Sequence, residues 1–207
     1  MKIFIGTPIR DTKEYSVYEW LDSIRELNYP SFLYMVDNSD MSDFSIKVKE
    51  YCKKIGLINY EMNHLDKMIG RENEYRLVYS RESIRNKMLA GNYDYWLSWE
   101  CDIVLPSNTL GVLFPYTKTF DVINHCYPDK DDKLQEVGGV GCSLFKRELL
   151  EKFSFLEGGG YAMCDKDKPN CYYSGDSWFC VRVLRAKYKV VDLHNLLEIK
   201  HIGEGIN

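Results

Sequence analysis

Apolar positions recur along the chain in two rhythms. Residues 2–7, 32–36, 95–99 and 120–126 are short runs dominated by apolar side chains, the pattern of strands covered on both faces. Between them the apolar positions take helical spacing. Val17, Trp20, Leu21, Ile24 and Leu27 form one stripe, with Asp11 or Thr12 as the expected cap and Asn28-Tyr29-Pro30 as the stop. Phe44, Val48, Tyr51, Cys52 and Ile55 form a second, with Ser42 expected to cap it and Gly56 to close it. Residues 57–62 read as a weaker strand, and residues 75–90 as a helix with Ile84 and Met88 inward and Gly91-Asn92 as its stop. Pro106-Ser107 opens a short helix carrying Leu110, Leu113 and Phe114. Residues 137–145 are strand-like despite Gly138, Gly139 and Gly141, and residues 148–153 are helical. Residues 154–174 carry three consecutive glycines and no period, so a mobile loop is expected there. A helix over 176–187, with Phe179, Cys180, Val183 and Leu184 on one stripe, and a strand over 188–199 complete the pattern.

Strands alternating with helices predict an α/β fold with a mostly parallel sheet. No linker or repeat interrupts residues 1–207, which read as one domain. Sheets of this kind bind ligands beyond the carboxyl ends of their strands. The polar clusters of residues 7–10, 37–40 and 100–102 each follow a predicted strand.

Composition narrows the picture. The chain has 207 residues, 45% hydrophobic and 28% charged, with net charge −4. A chain this long buries about 70% of its unfolded surface, so it needs no metal or disulfide staple. The charged residues show no Lys/Arg run, which argues against a nucleic-acid partner. No apolar run approaches the ~18–20 residues of a membrane span, so any membrane association is expected to be peripheral. Seven cysteines, an odd number without a CxxC pair, are expected to be reduced thiols in a cytoplasmic protein.

The segment Asp94-Tyr95-Trp96-Leu97-Ser98-Trp99-Glu100-Cys101-Asp102 carries the most information: an aromatic strand ends in two carboxylates two positions apart. In an extended chain, positions i and i+2 point the same way. Two like charges side by side favour a cation between them, and a hard divalent ion prefers such oxygens. An acidic turn after a strand is the plainer alternative. His201, before Ile202-Gly203, is a second candidate ligand. Asp176, expected to open a helix, reads as an N-cap or as a general base, and the two roles are compatible. Gly138 and Gly139 mark a bulge or a close approach of backbone to ligand. Arg10, Arg81 and Arg85 are candidate phosphate contacts.

Taken in order, these segments resemble the nucleotide-sugar glycosyltransferases of the GT-A fold, in the pattern of the large inverting family 2. Ile5-Gly6-Thr7-Pro8-Ile9-Arg10 is similar to the first strand and its nucleotide loop, and Val36-Asp37-Asn38-Ser39-Asp40 to the strand end that reads the base. Ser83-Ile84-Arg85-Asn86-Lys87 resembles the Ala-Arg-Asn helix, and Glu100-Cys101-Asp102 stands where Asp-x-Asp holds the metal, with Glu for the first Asp. Residues 139–147 resemble the Gly-rich acceptor-side strand. Gly175-Asp176-Ser177-Trp178-Phe179 stands at Glu-Asp-x-x-Phe, with Gly for the Glu, and His201-Ile202-Gly203 at the late metal histidine.

The resemblance implies a GT-A, Rossmann-like sheet with a small antiparallel acceptor-side part. Residues 1–102 would form the nucleotide-binding half and residues 103–207 the acceptor-side half. It implies transfer of a sugar from a nucleotide-diphosphate donor, a UDP-sugar first and a GDP-sugar second, to a hydroxyl on a glycan, lipid-linked or protein acceptor, with inversion. Asp176 would be the base. Thr7, Pro8, Arg10, Asp37, Asn38, Arg81, Arg85, Glu100, Cys101 and Asp102 would bind donor. Asp102, His201 and Glu100 would hold Mn²⁺ or Mg²⁺, while Gly138, Gly139 and Trp178 would face the acceptor. The loop 158–173 would close as a lid, with Tyr161, Tyr172 and Tyr173 against the acceptor sugar. A retaining transferase or nucleotidyltransferase on the same fold, or a non-catalytic glycan-binding relic, are the alternatives.

Overall fold

Strand alternation sorts the core into two layers, one on each face of a single sheet. The computed structural model describes residues 1–66, 68–125, 140–157, 163–164, 172–173 and 175–203, with 163–164 and 172–173 described in backbone only. The strands are β1 (Ile3–Ile9), β2 (Ser31–Asp37), β3 (Tyr60–His64), β4 (Tyr95–Trp99), β5 (Ile103–Val104), β6 (Val122–His125), β7 (Cys142–Lys146), β8 (Met163–Cys164), β9 (Tyr172–Tyr173), β10 (Val190–Leu193) and β11 (Lys200–His201). The helices are α1 (Glu14–Arg25), α2 (Asp43–Lys54), α3 (Asn73–Ala90), α4 (Thr109–Leu113), α5 (Arg147–Lys152) and α6 (Gly175–Arg185). None of the described helices is long and apolar enough to cross a membrane.

Seven strands form one sheet in the order β10-β6-β7-β4-β1-β2-β3. All pairings are parallel except those of β7, which runs antiparallel between β4 and β6. The chain builds outward from β1 through β2 to β3, then returns to lay β4 on the other side of β1. That reversal is where an open α/β sheet forms its ligand crevice. Two-stranded antiparallel pieces, β5 with β11 and β8 with β9, complete the architecture.

Ile3, Ile5, Leu33, Met35, Leu97 and Trp99 pack on one face with α1, α2 and α4. Phe4, Tyr34, Val36, Trp96 and Phe145 pack on the other with α3, α5 and α6. This is period-two alternation between two buried faces. Gly6 interrupts the apolar run because nothing larger fits. A Cβ there would lie 2.2 Å from Ile84 Cγ2 and 2.6 Å from Trp96 Nε1. The Trp96 indole instead donates to the Gly6 carbonyl at 3.1 Å.

Several expected boundaries shift. The first strand runs on through Ile9, because its pairing with β2 extends to Ile9 opposite Asp37. A 3-10 turn over Asp11–Lys13 precedes α1, so neither Asp11 nor Thr12 caps it. Ser42 stands at the N-cap of α2 but is already in helical conformation and makes no side-chain cap bond. Gly56 closes α2 as expected, at φ +72°, with its N–H on Lys53 O and that of Leu57 on Cys52 O. This paired closure draws Leu57 into the helix end, and the strand expected at 57–62 begins only at Tyr60.

Asp176 lies inside the first turn of α6 rather than ahead of it, and Leu184 is exposed. Past Leu193 the strand expected to reach residue 199 gives way to turns, and β11 pairs separately with β5. Gly138, Gly139 and residues 158–162 lie outside the described residues, as does Tyr161. Within the expected loop, β8 and β9 form a ladder, and Phe155 is buried in the core. Cys52, Cys101, Cys142 and Cys180 are free thiols.

Gly6→Ala is expected to destabilise the fold by ~1–3 kcal/mol, the usual range for forcing extra volume into a packed core. Urea unfolding would show it as a lower midpoint at constant slope. A midpoint equal to wild type would mean that α3 yields freely over β1.

Candidate functional site

The ends of β1, β2 and β4 lie side by side and open a cleft of about 290 Å³. Its wall includes Pro8 near the end of β1 and Arg10 just past it, Asn38 after β2, Asn73, Glu74 and Arg76 from the start of α3, and Glu100, Cys101 and Asp102 after β4. Lys13 reaches the same cleft from the 3-10 turn. The expected donor residues Pro8, Arg10, Asn38, Glu100, Cys101 and Asp102 therefore converge on it. Thr7 does not line it: fully buried, its hydroxyl donates to the Trp99 carbonyl at 2.7 Å and ties β1 to β4 beneath the cleft.

Asp37 is fully buried and faces its own loop. It accepts from the Ser39 N–H at 3.0 Å, from the Ser39 and Ser45 hydroxyls at 2.6 Å each, and stands 3.0 Å from His64 Nδ1. The carboxylate fixes the turn that carries Asn38 into the cleft. Arg76 reinforces that turn, donating to the Asn38 carbonyl at 2.5 Å and pairing with Asp40. Ser80 Oγ accepts from the Asn38 amide at 2.9 Å.

The two carboxylates of the acidic segment part company. Glu100–Asp102 lies beyond β4, in a turn closed by the Ile103 N–H on the Glu100 carbonyl at 3.2 Å. The same-side rule for extended residues therefore lapses there. Glu100 turns toward Arg81, 3.4 Å from its guanidinium. Asp102 turns toward Lys13, whose ammonium bonds its Oδ2, and toward His201, whose Nε2 is 3.5 Å from the same oxygen. His201 arrives through the β5–β11 pairing, which sets it opposite Ile103, and the Ile202 N–H donates to the Asp102 carbonyl at 2.7 Å. Burial works to lower the Lys13 pKa, but its hydrogen bond to Asp102 and that carboxylate's charge outweigh burial and raise it.

Asp176 projects from the first turn of α6 onto Arg81, with Oδ2 2.6 Å from Nη1. Burial pushes its carboxyl up to about 6 against the downward pull of Arg81, and the charges of Glu100 and Glu74 add to the rise. Arg81 is 1% exposed and bridges the two acids.

Arg85 stands apart from the cleft. Its Nε donates to the Leu150 carbonyl at 2.6 Å and its Nη1 to Glu82 at 2.8 Å, so it staples α3 to the end of α5. Trp178 lies on α6 with Arg185 5.6 Å over its ring. The Cys101 thiol is raised by burial and stays protonated.

Sequence reasoning missed Lys13, Asn73, Glu74 and Arg76. The signal was present in α3, where Arg76, Ser80 and Arg81 occupy buried positions that a core helix would fill with apolar side chains. Buried charges of that kind need partners, and here the partners are the loops that shape the cleft.

A divalent ion can be tested against this donor set. An Asp oxygen and an imidazole nitrogen 3.5 Å apart are spaced as two neighbouring ligands of one ion with bonds of about 2.1 Å. The Lys13 ammonium on the same oxygen shows that this position draws a cation. No third ligating side chain joins the pair among the described residues. Asp102 and His201 fit as a partial protein set for an ion that keeps phosphate or water ligands; Glu100 is turned away.

No family model and no curated protein matches the sequence. Solved structures do match the fold. S. aureus TarS superposes with a TM-score of 0.66 over 98% of this chain at 13% identity, the match covering 37% of TarS. Its residues 1–349, solved in complex with UDP-GlcNAc, give 0.64 over 99% of this chain at 15% identity, covering 60% of that fragment. The mannosyltransferase PcManGT from Pyrobaculum calidifontis, solved in complex with GDP-Man and Mn²⁺, gives 0.61 over 94% of this chain at 15% identity, covering 55% of that protein. The chain thus spans less than two thirds of each. What it shares with them is the GT-A α/β fold, which in this chain is a mostly parallel seven-stranded sheet between helical layers with a small antiparallel part.

Proposed function

We propose that the chain is a nucleotide-sugar glycosyltransferase that moves a sugar from a nucleotide-diphosphate donor to a hydroxyl acceptor with inversion. The observation that carries this reading is a switch-point cleft whose wall joins cationic Arg10, Lys13 and Arg76 to Asp102, with His201 behind Asp102 and Asp176, an acid of raised pKa, linked through Arg81 to Glu100 of the same wall. The likeness to structures holding UDP-GlcNAc and GDP-Man supports a nucleotide sugar, a UDP-sugar first and a GDP-sugar second. A glycan, lipid-linked or protein acceptor would supply the hydroxyl.

Arg10, donating to Asn73, and Lys13 present positive charge to a diphosphate in the wall they share with Pro8 and Asn38. In this reading Lys13 would turn its ammonium from Asp102 to the donor's phosphates. Asp102 and His201 would hold Mn²⁺ or Mg²⁺, which when bound supplies Lewis-acid stabilisation of the leaving diphosphate. Asp176, ionised, accepts the acceptor hydroxyl's proton as that oxygen attacks the anomeric carbon. A carboxyl poised near 6 is ionised at neutral pH yet basic enough to take up a proton in the transition state.

UDP-GlcNAc or GDP-mannose with Mn²⁺ is expected to raise the melting temperature by about 5–10 °C at a hundredfold excess over Kd. Neither nucleotide sugar shifting melting, with or without Mn²⁺, would remove the donor site. Lys13→Met is expected to tighten Mn²⁺ binding several-fold by calorimetry, since Asp102 then lacks its internal cation. Weaker or equal Mn²⁺ affinity would mean that Lys13 and the ion do not share a position.

Asp176→Asn is expected to keep UDP affinity while transfer falls ~10²–10⁴-fold. In the wild type the active base is the ionised form, so kcat should climb with pH through a midpoint of about 6 and fall about tenfold per unit below it. Wild-type turnover in Asp176→Asn would exclude Asp176 as the base, and the anomeric configuration of the product, read by NMR, tests inversion.

A further inference from the structure

Arg81 has a role that its candidate status as a phosphate contact does not capture. It is 1% exposed on the inward face of α3, and the cleft is walled instead by Arg10, Lys13 and Arg76. Its Nη1 lies 2.6 Å from Asp176 Oδ2, and its Nη2 lies 3.4 Å from Glu100 Oε1. One guanidinium thus joins the first turn of α6 to the turn after β4. These two elements share no strand pairing. An arginine suits this place because its planar fork serves two carboxylates at once and cannot lose its charge, which an ammonium point charge on a flexible stem does less well.

We propose that Arg81 is a positioning residue: it aims the Asp176 carboxylate and keeps it ionised beside Glu100, and it does not bind the donor's phosphates. The inference rests on Asp176 being the base of the proposed transfer. Glu100 and Asp176 are two acids held against one buried cation, with Glu74 of α3 contributing a third negative charge nearby. Cys180, one turn along α6, stays protonated, burial pushing its thiol up to about 12, and adds no charge. Among the described residues Arg81 is thus the cation that faces Asp176, and Glu100 and Glu74 are the anions. Glu100 competes with Asp176 for Arg81. Removing Arg81 and removing Glu100 should therefore move the Asp176 titration in opposite directions.

The test follows the Asp176 carboxyl by ¹³C NMR in the full chain, the resonance being the one absent from Asp176→Asn. Arg81→Lys and Arg81→Met are expected to raise its midpoint, by about a unit or more in Arg81→Met, and Glu100→Gln to lower it. UDP affinity by calorimetry should stay within about twofold of wild type in Arg81→Lys, while kcat at saturating donor falls and its acid limb moves up with the carboxyl midpoint. If Arg81→Met fails to fold, Arg81→Lys and Glu100→Gln still give the two opposed shifts. An unchanged Asp176 midpoint in both foldable variants overturns the inference. So does a tenfold loss of UDP affinity in Arg81→Lys, which would make it a phosphate contact after all. If wild type turns over no nucleotide sugar, the transferase reading fails by itself, and the carboxyl titration still decides whether Arg81 governs Asp176.

Discussion

The register of three parallel strands sets everything at the cleft. β1 pairs with β2 from Ile3 opposite Ser31 to Ile9 opposite Asp37, and with β4 from Ile3 opposite Tyr95 to Gly6 opposite Ser98. Backbone hydrogen bonds, not side chains, thereby bring the three strand ends to one edge. The Asn38 N–H on the Ile9 carbonyl at 3.0 Å and the Glu100 N–H on the Gly141 carbonyl at 2.8 Å extend the order past the last paired residues. A slip of one residue would turn every inward side chain of a strand to the opposite layer. Two packed faces, one with Trp20 and Trp99 and one with Trp96 and Phe145, forbid that slip. Residues from four separate stretches of chain then become neighbours because the sheet leaves them nowhere else to go.

On that edge the charged groups come as linked sets. Asp102 is shared by Lys13 and His201, Arg81 by Glu100 and Asp176, and Arg76 by Asp40 and the Asn38 carbonyl. Burying charge is costly unless it is paired, and pairing of this kind contributes geometry more than net stability. Each set ties a loop after a strand to a helix or turn elsewhere: β2's loop to α3, β4's loop to α6, and β4's loop to the turn before α1. Asp37 belongs to the same logic. With two serines and a histidine around it, its carboxylate organises the turn from below and leaves Asn38 and Arg10 to face what enters.

The strand-and-helix order was legible because apolar rhythm reports which faces are covered, and the covering here follows the rhythm closely. Boundaries were less so where a hydrogen bond between distant residues decides them. Ser42 looks like a cap in sequence, yet its backbone is already helical, and no sequence signal distinguishes the two. The strand at Tyr60 starts late because the closing bonds of α2 claim Leu57. Within the site, Arg10, Asn38 and Asp102 were readable as polar residues after strands. The parting of Glu100 from Asp102 was not, since it depends on a turn that ends the extended geometry. Lys13 was hidden by its ordinary place ahead of a helix, and Arg76 by a helix whose apolar stripe is broken by the charges that matter most.

His201 shows how far a site can depend on a segment with little structure of its own. β11 has two residues and one partner strand, itself of two residues. Alone, such a ladder is marginal. What holds it is a series of anchors along the segment. Leu197 is buried in the core and its N–H donates to His125 Nε2 at 3.1 Å, Lys200 pairs with Glu19 of α1 at 2.6 Å, and Ile202 bonds the Asp102 carbonyl. The last of these joins the backbone of the segment to the backbone of the residue whose side chain His201 faces. Imidazole and carboxylate are therefore fixed to each other through main chain as well as through space. Local opening of the segment would remove His201 from Asp102 while leaving the seven-stranded sheet intact, because none of these anchors is part of that sheet's ladder. The Asp–His pair thus rests on anchors outside that ladder, whereas buried Arg81 joins α3 to α6 through Asp176.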